Sequence, residues 1–294
     1  MNDSTSNGAS RGLRLVGTSE DRVGIVARVT AFLAENNASI TEAGQYHDQV
    51  TKTFFMRYVF KAEDSPDVVE NFKAGFASIA DELGMEWNLT DTAQRPRLVL
   101  LVSKHDHCLA YLLHRWKVGD LKVDIPCVIS NHDKLRELVE WYGIPYHHVP
   151  VPKEKTAKEA AFKEIARRID AAQPDTIVLA RYMQIFPSWL CEKFRYRVLN
   201  IHHSFLPSFV GARPYQQAAE RGVKLTGATC HYVTEELDAG PIIEQDVIRI
   251  NHADSLEEMT RRGKDVENLV LARGLRLHLD DRVLVHGNKT ILFQ

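Results

Sequence analysis

Three side chains in the C-terminal half form a set suited to carbonyl chemistry. Asn200 and His202 stand in Asn200-Ile201-His202-His203-Ser204-Phe205-Leu206-Pro207-Ser208-Phe209, directly after the apolar strand end Arg197-Val198-Leu199. Pro207 cannot extend a ladder, so the run breaks into a loop there. Asp238 follows in Leu237-Asp238-Ala239-Gly240-Pro241, a turn shaped by Gly and Pro after a second apolar strand ending near Val233. An amide, an imidazole and a carboxylate at strand exits supply an oxyanion donor, a titrating group and a group that sets its protonation. Taken alone, Asn-x-His after a strand is also an ordinary loop cap. Ser204 reads first as a turn hydroxyl and second as a nucleophile.

The elements that must position these groups follow an alternating pattern from residue 97 onward. Apolar strands are expected at 97–103, 123–129, 146–149 and 176–180, with helices at 108–118, 135–142 and 157–172 between them. Near-continuous apolar strands separated by helices imply a parallel sheet covered on both faces, whose carboxyl edge takes ligands. A helix at 215–221, strands at 225–233 and 242–250, a helix at 256–278 and a hairpin at 283–285 and 290–293 complete the chain. Residues 13–90 differ. Strands at 13–17, 38–40, 53–60 and 85–89 and helices from Ile25 and at 68–83 give βαββαβ, the ferredoxin-like plan. The polar stretch Thr90-Asp91-Thr92-Ala93-Gln94-Arg95-Pro96 marks the boundary, with a linker at 91–96.

Composition narrows the function classes. The chain has 294 residues, 44% hydrophobic and 26% charged, ordinary for a globular protein of two domains. A net charge of −2 argues against a nucleic-acid binder. No apolar run approaches a membrane span. Residues 1–12 are polar and lack the apolar core of a signal peptide, so they read as a mobile tail of a cytoplasmic protein. Cys108, Cys127, Cys191 and Cys230 form no Cys-x-x-Cys pair and fit reduced thiols. Among the 13 histidines, His105-x-His107-Cys108 and His147-His148 are the metal candidates, but neither has a second cluster at zinc spacing, so no metal is expected.

Asn200-Ile201-His202-x-Ser204-x-Leu206-Pro207, Gly211-Ala212-Arg213-Pro214, Gly227-Ala228-Thr229 and Leu237-Asp238-x-Gly240-Pro241-Ile242-Ile243 resemble the formyltransferase-type folate enzymes, and the likeness spans nearly the whole chain. The His202-His203 doublet and the N-terminal region resemble the branch of that family that hydrolyses 10-formyltetrahydrofolate. The resemblance implies a Rossmann-like formyltransferase domain at 97–294 with a mostly parallel sheet. The turn Asp21-Arg22-x-Gly24-Ile25-Val26 resembles the opening of ACT domains, with Val23 where Pro is usual. Such domains pair and often bind amino acids, so a homo-oligomer is expected, with Asp21 and Gly24 as effector-binding candidates. A plain oligomerisation module is the other reading of residues 13–90.

For the site, the resemblance implies that Asn200 donates to the formyl oxygen and that His202 polarises it and shuttles a proton. Asp238 would orient water and raise the basicity of His202. Met183, Ile185 and Phe186, with Val233 and His203, would line the folate pocket; core packing is the alternative for each apolar residue. Gln184 replaces the Arg frequent in relatives, so no charge contact is expected from it. His203 stands where the transferases carry Pro; it positions water or shapes the loop. The Leu206–Pro207 bond is expected to be cis. The loop Ser103-Lys104-His105-Asp106-His107-Cys108 lacks the glycines that cradle a phosphorylated acceptor, which favours water. Asp106 is a candidate cap for the next helix. The expected reaction is hydrolysis of 10-formyltetrahydrofolate to tetrahydrofolate and formate, balancing the one-carbon folate pool and feeding purine synthesis, with no cofactor. Formyl transfer to an amine and an amino-acid-binding regulatory protein are the alternatives.

Overall fold

The computed structural model describes residues 10–208 and 214–294. Residues 1–9 of the expected tail, and Phe209 and Gly211-Ala212-Arg213 of the motif, lie outside the described residues. The chain forms two units. One comprises residues up to Gln94 with Asp281–Leu284 and Ile291–Gln294; the other comprises Arg95–Asp280 with Val285–Thr290.

In the first unit β1 (Ser10–Glu20), α1 (Ile25–Glu35), β2 (Ser39–Asp48), β3 (Thr53–Glu63), α2 (Val68–Leu83) and β4 (Glu86–Asp91) follow the ferredoxin-like order. The sheet is antiparallel, β2-β3-β1-β4. Val29, Phe32 and Leu33 of α1 recur at helical spacing and meet Phe72, Phe76 and Ile79 of α2 over Leu13, Leu15, Met56 and Phe60 of the sheet. The Phe32 ring lies 5.8 Å from Phe72 and 5.6 Å from Phe76. Two expectations are corrected. Ser10, Arg11 and Gly12 belong to β1 rather than to a tail, and the Arg11 Nε donates to Asp91 Oδ2 at 3.0 Å. β2 extends to Asp48, well past the apolar residues that signalled it, because most of its side chains are exposed and carry no alternating pattern.

The second unit contains β5 (Leu98–Val102), α3 (His107–Lys117), β6 (Val128–Ser130), α4 (Arg136–Trp141), β7 (Tyr146–His148), α5 (Lys155–Ala172), β8 (Thr176–Leu179), α6 (Ser188–Lys193), β9 (Val198–His202), α7 (Pro214–Arg221), β10 (Leu225–Tyr232), β11 (Ile242–Arg249) and α8 (Leu256–Leu279). The sheet order is β11-β10-β9-β8-β5-β6-β7. β9, β8, β5, β6 and β7 run parallel, and β10 is antiparallel to both neighbours. Val99, Leu101, Ile129 and Ile177 pack on Phe162, Ile165 and Ile169 of α5. The Glu154 carboxylate accepts from the Thr156 and Ala157 amides at the start of α5, and Ser255 Oγ accepts from the Glu258 amide at the start of α8.

Some boundaries differ from the sequence pattern. Residues 123–127 precede β6 without joining its ladder: Val123, Ile125 and Cys127 are buried, but the pairing there is one isolated bridge, Arg97 with Asp124. The short helix α6 carries no signal in the sequence; Pro187 stands at its cap position in extended backbone. Asp106 stands at the cap position of α3, yet its side chain makes no capping hydrogen bond. The closing hairpin, β12 (Val283–His286) and β13 (Lys289–Leu292), does not fall wholly within the domain expected at 97–294. Its outer residues group instead with the first unit, where Arg14 Nη1 pairs with Asp281 at 2.7 Å and Arg282 Nη2 with Glu42 at 3.0 Å. No helix among the described residues is long and apolar enough to cross a membrane.

Candidate active site

Register brings the site together. On β9, residues 200 and 202 point to one face, and β10 runs antiparallel beside it with Asn200 opposite His231 and His202 opposite Thr229. Asn200 Nδ2 therefore lies 3.1 Å from His231 Nε2. His231 Nδ1 lies 2.9 Å from the Tyr232 carbonyl, which can only accept, so Nδ1 carries the proton and Nε2 accepts from Asn200. Burial lowers the His231 pKa, against the opposing pull of the Tyr232 carbonyl and Asp238, and so favours this neutral form. The Asn200 amide is thus fixed with its N–H side known.

Asp238 enters from the turn after β10. Its φ of +55° is left-handed, and Gly240, next in the turn, lies so close to the Tyr232 carbonyl that any side chain there would collide with it. The Tyr232 amide donates to the Pro241 carbonyl at 2.9 Å and closes the turn. The Asp238 carboxylate faces two imidazoles: Oδ2 is 3.3 Å from His202 Nδ1 and Oδ1 is 3.8 Å from His231 Nε2. The side chains of His202 and Asp238 are both buried.

The loop after β9 is tied down from β10. Thr229 Oγ1 donates to the Ser204 carbonyl at 2.9 Å and accepts from the Leu206 amide at 3.0 Å, while Gln245 Nε2 donates to the Leu206 carbonyl at 3.0 Å. Leu206–Pro207 is cis, as expected. Ser204 Oγ donates to the Ser208 carbonyl at 2.7 Å, the turn hydroxyl expected first.

Asn200, His202, His203 and Asp238 line one cavity of about 230 Å³ at the carboxyl edge of the sheet, with Arg181, Met183, Gln184, Ile185, Phe186, His231 and Val233 among its other walls. The stretch after β8 is held by Ser103, whose Oγ accepts from the Met183 amide at 2.9 Å and donates to Asn131 Oδ1 at 2.6 Å. Met183 and Ile185 are exposed to the opening, whereas Phe186 is buried in the core beside Phe162 and Tyr182. Phe186 thus serves the core and the cavity wall together. Asp21 and Gly24 lie in the first unit: Asp21 Oδ2 is 3.3 Å from His47 Nε2, and Gly24, at φ +97°, opens α1.

Behind His203 stands a buried ionic network that sequence reasoning missed. The Glu267 carboxylate, from α8, accepts from Tyr215 Oη at 2.7 Å and from His107 Nε2 at 2.8 Å. Arg181 Nε is 3.3 Å away, an ion pair without hydrogen-bond alignment. Burial pushes the Glu267 carboxyl up, but the His107 hydrogen bond, the Arg181 charge and Tyr215 outweigh it and hold it at about 2. His107, Cys108 and Glu267 also form a cluster of metal-ligand types. The carboxylate is committed to two donors and a guanidinium, and the nearby positive charge opposes a cation. Burial, reinforced by the Arg181 guanidinium, pushes the His203 imidazole down to about 3. Arg181 itself takes a left-handed φ of +64°. A signal for Glu267 existed in the sequence, since it is a carboxylate on the inward stripe of α8 between Val266 and Val270.

An antiparallel ferredoxin-like unit followed by this mostly parallel sheet is the architecture of an ACT domain joined to a formyltransferase. Residues 15–74 match the ACT domain family model and residues 96–275 the Formyl transferase model. The formyltetrahydrofolate deformylase of Bacillus subtilis is 46% identical over 282 residues, covering 95% of this chain and 93% of the relative. A crystal structure of formyltetrahydrofolate deformylase from Pseudomonas syringae pv. tomato superposes with a TM-score of 0.94 at 57% identity, covering 99% of this chain and 96% of that one. The enzyme of that name from Burkholderia mallei gives 0.90 at 38% identity over 97% of this chain and all of its own, 100%. The chain belongs to the formyltetrahydrofolate deformylase family.

Proposed function

We propose that this chain hydrolyses 10-formyltetrahydrofolate to tetrahydrofolate and formate in the cytoplasm, and so sets the balance of the one-carbon folate pool and supplies formate for purine synthesis. The observation that carries this reading is the likeness of both units together to formyltetrahydrofolate deformylases, with Asn200, His202 and Asp238 converging on one cavity. A formamide is a poor electrophile, so hydrolysis needs a held oxyanion, an activated water and a proton for the departing nitrogen. Asn200, locked by His231, donates to the formyl oxygen as negative charge grows on it. Asp238 at Nδ1 of His202 raises the basicity of that ring and orients the water. The water oxygen bonds to the formyl carbon while one proton passes to His202. The C–N10 bond then breaks, N10 takes the proton from His202, and formic acid leaves and ionises to formate. Met183, Ile185, Phe186 and Val233 form the apolar slot for the flat pterin ring. This chemistry uses no cofactor.

A coupled formate assay with and without added amines tests this. Formate is expected in equal amount to tetrahydrofolate, whether amines are present or not. Transfer of the formyl group to an amine in place of formate release would establish the transferase reading.

The first unit is proposed to pair with that of a second copy and to bind a small amino acid at the Asp21–Gly24 turn. The support is the match to the ACT domain and a helix start whose small residue leaves backbone N–H groups open to a carboxylate. An effector changes turnover only if it binds two states with different affinity. Titration of the full chain with glycine and methionine is expected to shift deformylation, and Asp21→Ala to weaken that shift. Unchanged turnover with both amino acids would leave oligomerisation as the unit's role.

A further inference from the structure

We propose that His203 is a second anchor for the nucleophilic water, holding it beside His202 through a ring nitrogen. The proposal rests on the hydrolase reading and deepens it. His203 is 8% exposed and lines the cavity with Asn200, His202 and Asp238. Its ring centroid is 5.3 Å from that of His202 and 5.9 Å from that of Tyr215. Among the described residues these ring contacts hold it, and neither nitrogen makes a hydrogen bond within the protein. Neither nitrogen is among the atoms sealed from the cavity without a partner. The nitrogens are therefore open to the cavity, and the ring is suited to a small polar partner taken from it.

The surroundings decide what that partner can be. Burial and the Arg181 guanidinium both oppose protonation of His203 and push its imidazole down to about 3, so the ring is neutral near neutral pH. A neutral imidazole keeps one lone pair and accepts a hydrogen bond, which an imidazolium cannot do. Behind it Tyr215 is a fixed wall. Its hydroxyl donates to Glu267, which Arg181 and His107 hold in turn, and Gly263 on α8 makes room for the phenol where any side chain would collide. The ring therefore cannot retreat from the cavity.

The balance of the reaction assigns the atoms. The water gives its oxygen to the formyl carbon and one proton to His202, which delivers it to the departing nitrogen. The second O–H donates to His203 during attack and leaves as the hydroxyl of formic acid. His203 takes up no proton; it fixes the direction of attack. An amine nucleophile arrives on its own bound substrate and needs no such anchor, so His203 favours water over transfer.

The test compares His203→Leu, which fills the space without an acceptor, with His203→Asn, which restores an acceptor oxygen. Both are made in the full chain and followed by formate release and by capture of the formyl group with hydroxylamine. His203→Leu is expected to lower kcat by roughly 100-fold, the scale of a misplaced reactant, with KM for the folate within about threefold. His203→Asn is expected to recover most of that loss. The share of formyl captured by hydroxylamine is expected to rise in His203→Leu. If His203→Leu does not fold, His203→Ala with added imidazole takes its place, and rate recovery by imidazole is the expected result. Equal losses in Leu and Asn, a rise in KM alone, or no recovery by imidazole would each overturn the proposal. Absence of formate release from the unsubstituted enzyme would instead refute the hydrolase reading.

Discussion

His202→Ala and Asp238→Asn are each expected to lower formate release by ~100-fold or more, the usual contribution of a proton-transfer or oxyanion-stabilising group. The two should not multiply, because the carboxylate acts largely through the imidazole 3.3 Å away. The double variant is therefore expected to fall close to the worse of the single ones. The fold should survive both changes. Asp238 sits in a turn whose shape is set by Gly240 and Pro241, and His202 is held in the β9 ladder, with the loop after it tied by Thr229 and Gln245 rather than by the imidazole. Circular dichroism and melting of the variants check the fold, and steady-state formate release checks the chemistry. Turnover near the unsubstituted level in either single variant would remove the assignment of this centre.

Glu267→Ala is expected to have the largest effect on stability. The carboxylate is buried and accepts from Tyr215 and His107 beside the Arg181 charge. Removing it leaves a guanidinium, a phenol and an imidazole without their partner, and breaking a buried pair from one side costs about 3–5 kcal/mol. Glu267→Gln keeps an acceptor oxygen and should lose less. The sign with pH follows from the lowered carboxyl. Its folded pKa, about 2, lies below the ordinary 4.5, so its contribution is fully present above the ordinary value and is lost as pH falls toward 2. The difference in melting temperature between the unsubstituted protein and Glu267→Gln should therefore shrink through that window. An unaltered melting temperature for Glu267→Ala at neutral pH would show that the network adds nothing to stability.

Much of this protein is legible from local patterns. The βαββαβ order of the first unit and the alternation of the second follow from apolar period and turn residues, because each element must bury one face. The Asn200, His202 and Asp238 set is legible because Asn200 and His202 close an apolar strand and Asp238 stands in the turn after another, and the strand exit itself determines which edge of the sheet they reach. Boundaries were less so. β2 is mostly exposed and shows no alternation, and residues 123–127 alternate in burial as a strand would yet lie outside the β6 ladder.

What the tertiary structure alone decided is pairing between distant residues. The opposition of Asn200 and His231 depends on the register of two antiparallel strands, which no spacing in the chain displays. Glu267, Arg181, His107 and Tyr215 come from α8, the stretch after β8, α3 and α7, and each by itself reads as an ordinary charged or polar residue. Their meaning arises only when packing removes water from all four at once. Low dielectric then turns a scattered set of charges into a network that holds one carboxyl ionised and one imidazole neutral. Residue types determine which chemistry is available; burial and register determine which protonation state each group keeps and which face it presents.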